Sequence, residues 1–173
     1  RAAATYLAVA IIGGLTLLMG LFLLYTQAGT LQISELYEAC QGKNVYPACL
    51  CMLVGFGAKA GAFPLQIWLP KAHPVAPAPA SALLSGILTK TGIFGVLVIR
   101  CQILLHDPVW GAFILVIGLI TMFLGALLAI FSIDFKRTLA CSSVSQIGFI
   151  LVGVGMQGLL GEYNEIAIRG TVL

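Results

Sequence analysis

Val109 to Ile133 reads VWGAFILVIGLITMFLGALLAIFSI, an unbroken run without one charged side chain. A helix needs about 20 apolar residues to cross a hydrocarbon layer of roughly 30 Å, and this run exceeds that length. The rest of the chain agrees. Of its 173 residues 60% are apolar and 9% charged, with a mean hydropathy of +1.07. A water-soluble domain carries about 25% charge, so an ordinary soluble globular protein is excluded. Working outward, further apolar runs lie near 138–156 and 80–104, then 46–69 and 2–25. The predicted fold class is all-α: a polytopic transmembrane bundle of five spans, with a sixth starting near 166. Arg1 stands where a Met is expected and a new apolar stretch starts at Ile166, so the chain reads as an internal piece of one longer transmembrane domain. No cleavable signal pattern precedes the first run.

The connections sort by sign. Arg1, Lys71 with His73, and Asp134-Phe135-Lys136-Arg137 fall on one side; Glu35, Glu38, Lys43, Asp107, Glu162 and Glu165 fall on the other. Basic residues of short loops stay cytoplasmic, so the loops at 70–79 and 134–137 are expected inside. Arg100, near the outer end of the third span, is expected to snorkel outward.

Five cysteines (Cys40, Cys49, Cys51, Cys101, Cys141) suggest metal or redox chemistry, but no CxxC spacing exists. Most lie in or beside apolar spans, where a free cysteine behaves as a small hydrophobe. A Cys40–Cys101 disulfide stays open. Neither a metal nor a redox cofactor is expected in this chain, and no nucleic-acid partner.

Two spans hold a lysine far from either end. Lys59 lies thirteen residues into the second span, about 20 Å along a helix, and Lys90 ten residues into the third, about 15 Å. A charge near the bilayer centre costs at least about 2.5–3.5 kcal/mol, so such residues face a bundle interior or a hydrated cavity. Small or hydroxylic neighbours surround both: Gly55, Ala58 and Ala60 near Lys59; Ser85, Thr89, Thr91 and Gly92 near Lys90. These leave room for water and offer hydrogen bonds. No acidic residue lies within the five spans, so a carboxylate partner would come from outside this chain. A lysine in low dielectric can take up and release a proton, which a permanently charged arginine cannot. The bland alternative is that each lysine pairs with a distant carboxylate and only fixes helix packing.

Pro64 lacks a backbone donor and would crowd the carbonyl of Ala60, so the second span is predicted to break at Pro64, beside Lys59. Broken spans are tolerated where they line a cavity, although a proline also kinks purely packing helices. His73, in the proline-dense segment 70–79, reads equally as a proton relay near neutral pH or as a solvated loop residue. The fourth span, with Gly111, Gly118, Thr121 and Gly125, reads as a packing element. In the fifth, Ser142, Ser143, Ser145 and Gln146 could continue a hydrated path or serve as interhelical glue.

The run Gly57-Ala58-Lys59-Ala60-Gly61-Ala62-Phe63-Pro64-Leu65-Gln66-Ile67-Trp68-Leu69-Pro70-Lys71-Ala72-His73 is followed by Ala76-Pro77-Ala78-Pro79-Ala80-Ser81-Ala82-Leu83-Leu84-Ser85 and Leu88-Thr89-Lys90-Thr91-Gly92. Together with Asp134-Phe135-Lys136-Arg137-Thr138-Leu139-Ala140-Cys141-Ser142-Ser143-Val144-Ser145-Gln146-Ile147-Gly148 it resembles the antiporter-like membrane subunits of respiratory complex I (NADH:quinone oxidoreductase), multisubunit cation/proton antiporters, and hydrogenase-4 and formate hydrogenlyase complexes. By that resemblance the chain would hold the sixth to tenth spans of a longer set and the start of the eleventh. Lys59 would be the proton-carrying lysine of a broken helix and Lys90 the lysine that passes protons onward. The glutamate partner of the first lysine would precede Arg1. Ser85 stands where the distal complex I subunit has a histidine, so the chain departs from that pattern and leans toward the hydrogenase-type and central subunits.

The expected function is proton or cation translocation by a non-redox subunit of a redox-driven complex. Lys59 and Lys90 form the relay, and Pro64, His73, Ser85, Thr89, Ser145 and Gln146 support it. The expected partners are other membrane subunits, the lipid bilayer, and protons or sodium; the expected site is a prokaryotic plasma membrane. A multisubunit sodium/proton antiporter is the alternative reading, and a passive membrane anchor a further one. An intramembrane enzyme is disfavoured because the spans hold no His-x-x-x-His, Asp pair or His–Cys ligand set.

Overall fold

A computed structural model describes residues 2–104 and 107–159, and all regular structure among them is helical. The chain runs α1 (Ala2–Ala28), α2 (Leu36–Cys40), α3 (Tyr46–Ala60), α4 (Trp68–Val75), α5 (Ala78–Leu83), α6 (Thr89–Val98), α7 (Pro108–Ile130) and α8 (Phe135–Leu159). A π-helical turn at Leu84–Leu88 joins α5 to α6, and a second at Ile99–Ile103 closes α6. The composite helix Ala78–Ile103 therefore has the length and apolarity of a membrane span, as do α1, α7 and α8, while apolar α3 is shorter. Arg1, His106, Glu162, Glu165 and the expected sixth span lie outside the described residues.

Prolines mark the helix starts. Pro47, Pro79 and Pro108 occupy the first turns of α3, α5 and α7, where a missing N–H leaves no bond unmade. Asp107 caps α7 by accepting the Val109 N–H at 3.1 Å. The structure also corrects the expectation of a loop over 70–79. Most of that segment is helical: Pro70 sits in the first turn of α4 and Pro74 in its last, and only Ala76 and Pro77 separate α4 from α5. His73 is consequently buried, not a solvated loop residue.

The second span is interrupted, but not by the crowding expected of Pro64. α3 stops at Ala60, where Gly61 adopts φ +80°, a left-handed conformation that costs a residue with a Cβ about 1–2 kcal/mol. The Gly61 and Ala62 N–H groups both return to the Gly57 carbonyl at 2.9 Å. Pro64 falls in the irregular segment 61–67 that follows, so it lies beyond the helix end and the helix-ending residue is the glycine.

Arg100 reaches toward the end of its span, as expected, but is buried there. It is 1% exposed, and its guanidinium folds over the end of its own span, donating to the carbonyls of Leu104 and Asp107. All five cysteines are free thiols, so Cys40 and Cys101 are unpaired with each other.

In a bilayer, helices associate through close packing more than through the hydrophobic effect, and small residues let backbones approach. A Cβ added to Gly148 of α8 would stand 2.3 Å from the Met122 nitrogen of α7. α1 and α3 meet at Gly13 and Gly55, and α6 reaches α3 through Gly92, where an added Cβ would lie 2.5 Å from the Ala60 nitrogen. α4 lies between α1 and α8, with the Trp68 and Tyr6 rings 5.2 Å apart. The Lys136 ammonium donates to the Ala76 carbonyl at 3.4 Å, so the α4–α5 and α7–α8 connections share one end of the bundle. The Tyr46 hydroxyl donates to the Asp107 carboxylate at the other end. Large apolar side chains such as Phe22, Phe94 and Phe123 point outward, as an apolar surround permits.

These contacts set the effect of two substitutions. Gly148→Leu forces α7 and α8 apart and lowers the stability of the full-length protein in detergent by about 1–3 kcal/mol, read as earlier heat-induced aggregation on size-exclusion chromatography. Gly61→Ala, followed by the same measurement, retains assembly but lowers stability by about 1–2 kcal/mol, because alanine resists the left-handed conformation.

Candidate functional site

The interruption of the second span places Lys59 in the last turn of α3, one residue before the helix ends. A helix broken inside hydrocarbon frees backbone groups that need partners. Two side chains supply them. The Trp68 indole N–H donates to the Ala58 carbonyl at 2.8 Å, tying the start of α4 back to the end of α3 beside Lys59. The Phe63 N–H donates to the Thr121 hydroxyl of α7 at 3.0 Å. The lysine side chain is exposed among the described residues and lines a cavity of about 220 Å³ between α1, α3, α4 and the Leu88–Thr91 turn.

Lys90 is exposed as well, in the first turn of α6. Its ammonium donates to the Ser85 carbonyl at 2.9 Å, and the Thr89 hydroxyl donates to that same carbonyl at 3.0 Å. Ser85 lies within the π-helical turn Leu84–Leu88, a form that occurs mostly as a single turn within α-helices. The Ser85 hydroxyl faces the Ser143 hydroxyl of α8 at 3.3 Å. Three of the expected site residues, Ser85, Thr89 and Lys90, thus form one cluster.

The two lysines belong to helices in direct contact. Gly92, two residues after Lys90, abuts Ala60, one residue after Lys59, and also the Phe56 carbonyl. His73 lies on α4, where its Nδ1 and the Ser81 hydroxyl are 2.6 Å apart, and its Nε2 is buried without a hydrogen-bond partner among the described residues. Gln66, in the irregular segment, is likewise buried with its Oε1 unpaired among those residues. Ser145 is half-buried where its backbone packs on Gly125, and Gln146 is exposed, so neither contributes to the Ser85–Lys90 cluster. Among the described residues no group of His, Cys, Asp and Glu is placed to hold a metal.

Trp68 and Thr121 are the functional candidates that reading the residues one by one missed. A signal existed for each. An indole N–H at membrane depth needs an acceptor, and a lone hydroxyl midway along an otherwise apolar span needs a use.

Comparison with known proteins agrees with this geometry. Residues 1–168 match the family model described as NADH:quinone oxidoreductase/Mrp antiporter, TM. Hydrogenase-4 component B of Escherichia coli (strain K12) is 39% identical over 160 residues, covering 89% of this chain and 24% of that protein. A subunit of the Na(+)/H(+) antiporter of Alkalihalophilus pseudofirmus is 32% identical over 177 residues, covering 99% of this chain and 35% of that protein. Among solved structures, the Mrp complex from Dietzia sp. DQ12-45-1b superposes with a TM-score of 0.84 at 31% identity, covering 90% of this chain and 29% of that one. The chain spans only 24% and 35% of the length of those two curated relatives. A family model matching nearly the whole chain places it: this chain belongs to the NADH:quinone oxidoreductase/Mrp antiporter transmembrane family.

Proposed function

We propose that this chain carries protons, or sodium, across the membrane as part of a multisubunit complex, with Lys59 and Lys90 as successive carriers. The observation that supports this most strongly is the coincidence of a charge with a discontinuity. Lys59 ends a helix that stops in mid-span, borders a cavity, and is one residue from the contact that leads through Gly92 to the Lys90 turn. An ionisable group is costly at membrane depth, and a broken helix provides the hydrated, polar surroundings that let it exchange a proton.

In this mechanism Lys59 loads a proton from the cytoplasmic side and releases it through water toward Lys90. The Ser85 carbonyl receives the Lys90 ammonium, and the Thr89 hydroxyl shares that acceptor. His73, held by Ser81, stands near the end of the bundle taken as cytoplasmic, which contains the 70–79 segment and the 134–137 turn. Ser145 and Gln146 belong to the later part of the path on α8. Electron transfer in partner subunits would alter the carboxylate pairing of Lys59, and with it the hold of Lys59 on its proton. The chain itself supplies no redox centre in this scheme. Its setting is a prokaryotic plasma membrane, beside other membrane subunits of a respiratory or hydrogenase-type complex. Similarity to a protein of an Na(+)/H(+) antiporter favours one second reading, exchange of sodium for protons by the same lysines without electron transfer.

In the full-length protein, Lys59→Met abolishes coupled ion translocation by reconstituted vesicles while the complex assembles normally, and Lys90→Met lowers it by about tenfold or more. Undiminished translocation by the Lys59 variant contradicts the relay. A passive anchor would tolerate both replacements.

A further inference from the structure

We propose that Thr121 of α7 is a positioning residue for Lys59, fixing the interrupted segment of the second span from a neighbouring span; the proposal rests on the reading of Lys59 as an ion carrier.

Thr121 is fully buried, in the middle of a helix whose other residues read as packing. A hydroxyl has one proton and two lone pairs. The proton goes to the Ile117 carbonyl one turn earlier, at 2.7 Å. With the proton so committed, the hydroxyl can only accept from its other side, and there the Phe63 N–H meets it at 3.0 Å. The group is held in one orientation by a bond at each side.

The tie acts at a distance from the lysine that matters. Phe63 is four residues beyond Lys59, across the left-handed Gly61. The segment is anchored to its own helix by Ala62 N–H to the Gly57 carbonyl, and to α7 by Phe63 N–H to Thr121. The first bond fixes where the break begins; the second fixes where the chain goes next. α7 is a stable reference for this purpose. Its backbone is clasped by α8 at Gly118 and Gly148, within a turn of Thr121. Thr121 thereby transfers the α7–α8 frame to the end of the helix that bears Lys59. Loss of the hydroxyl leaves an amide unpaired in apolar surroundings, and the segment must shift or admit water to pair it.

The discriminating pair is Thr121→Val, which keeps shape and volume but removes the hydroxyl, against Thr121→Ser, which keeps the hydroxyl. Both are made in the full-length protein within its complex, with ion translocation measured in membrane vesicles across pH. The expected result is that the Val variant assembles, translocates about tenfold more slowly and has a displaced pH profile, whereas the Ser variant stays within about twofold with an unchanged profile. A Val variant with wild-type rate and profile overturns the proposal. Should the Val variant fail to assemble, Thr121→Ala is compared with Thr121→Ser by hydrogen–deuterium exchange over residues 61–67. Faster exchange confined to that segment in the Ala variant supports the tie; equal exchange in both overturns it. Lys59→Met in the same vesicles separates the two claims. Normal translocation by that variant defeats the carrier reading, while a dead Lys59 variant beside a wild-type-like Val variant defeats only the role of Thr121.

Discussion

A helix that stops at membrane depth frees backbone groups that need partners, and here two side chains from other elements pair with two of them. Thr121 accepts the N–H of Phe63, and Trp68 donates to the carbonyl of Ala58. Each unmade bond of this kind would cost on the order of 1–3 kcal/mol or more. The interruption is therefore a defined conformation, with a left-handed glycine at its start and side chains of two other elements gripping it.

At the second lysine the helix is not broken but widened, by the π-helical turn Leu84–Leu88, and the Ser85 carbonyl is shared by the Thr89 hydroxyl and the Lys90 ammonium. α7 and α8 stand behind both places. Their backbones touch through Gly118, Gly125 and Gly148, and from that pair Thr121 reaches the Lys59 break and Ser143 the Ser85 turn. The α7–α8 pair thus touches both irregular places. In the proposed relay this has a use, because carriers beside irregular backbone need supporting contacts that hold them in position.

The membrane class and the all-helical bundle were legible from charge scarcity and apolar run length alone, since those follow from the cost of hydrating or burying a backbone in a bilayer. The two lysines stand out in the sequence for the same reason, as charges where charge is expensive, and the structure adds that the helices carrying them touch at Gly92. The mechanism of the break was less so. Pro64 is the conspicuous breaker, yet Gly61 ends the helix first, and only the backbone dihedral distinguishes the two. The proline-rich segment 70–79 reads as a loop by composition but folds mostly as helix: Pro70 and Pro79 fall in first turns, where a missing donor is harmless, and Pro74 is tolerated near the end of α4. Arg100 reaches toward the end of its span, as its position suggests, but is buried there against the carbonyls of Leu104 and Asp107. Trp68 and Thr121 escaped notice because their roles come from pairing across elements, which no spacing within one span encodes.

Everything proposed for the relay requires that Lys59 stand at a hydrated point within the membrane, made by the interrupted span. That requirement is open to a single labelling experiment: the reactivity of Lys59→Cys toward a membrane-impermeant, water-soluble thiol reagent, in the full-length protein with its native cysteines replaced, against Leu53→Cys on the buried side of the same helix. Rapid modification at position 59 and protection at position 53 are expected. Equal protection of both would contradict a hydrated Lys59.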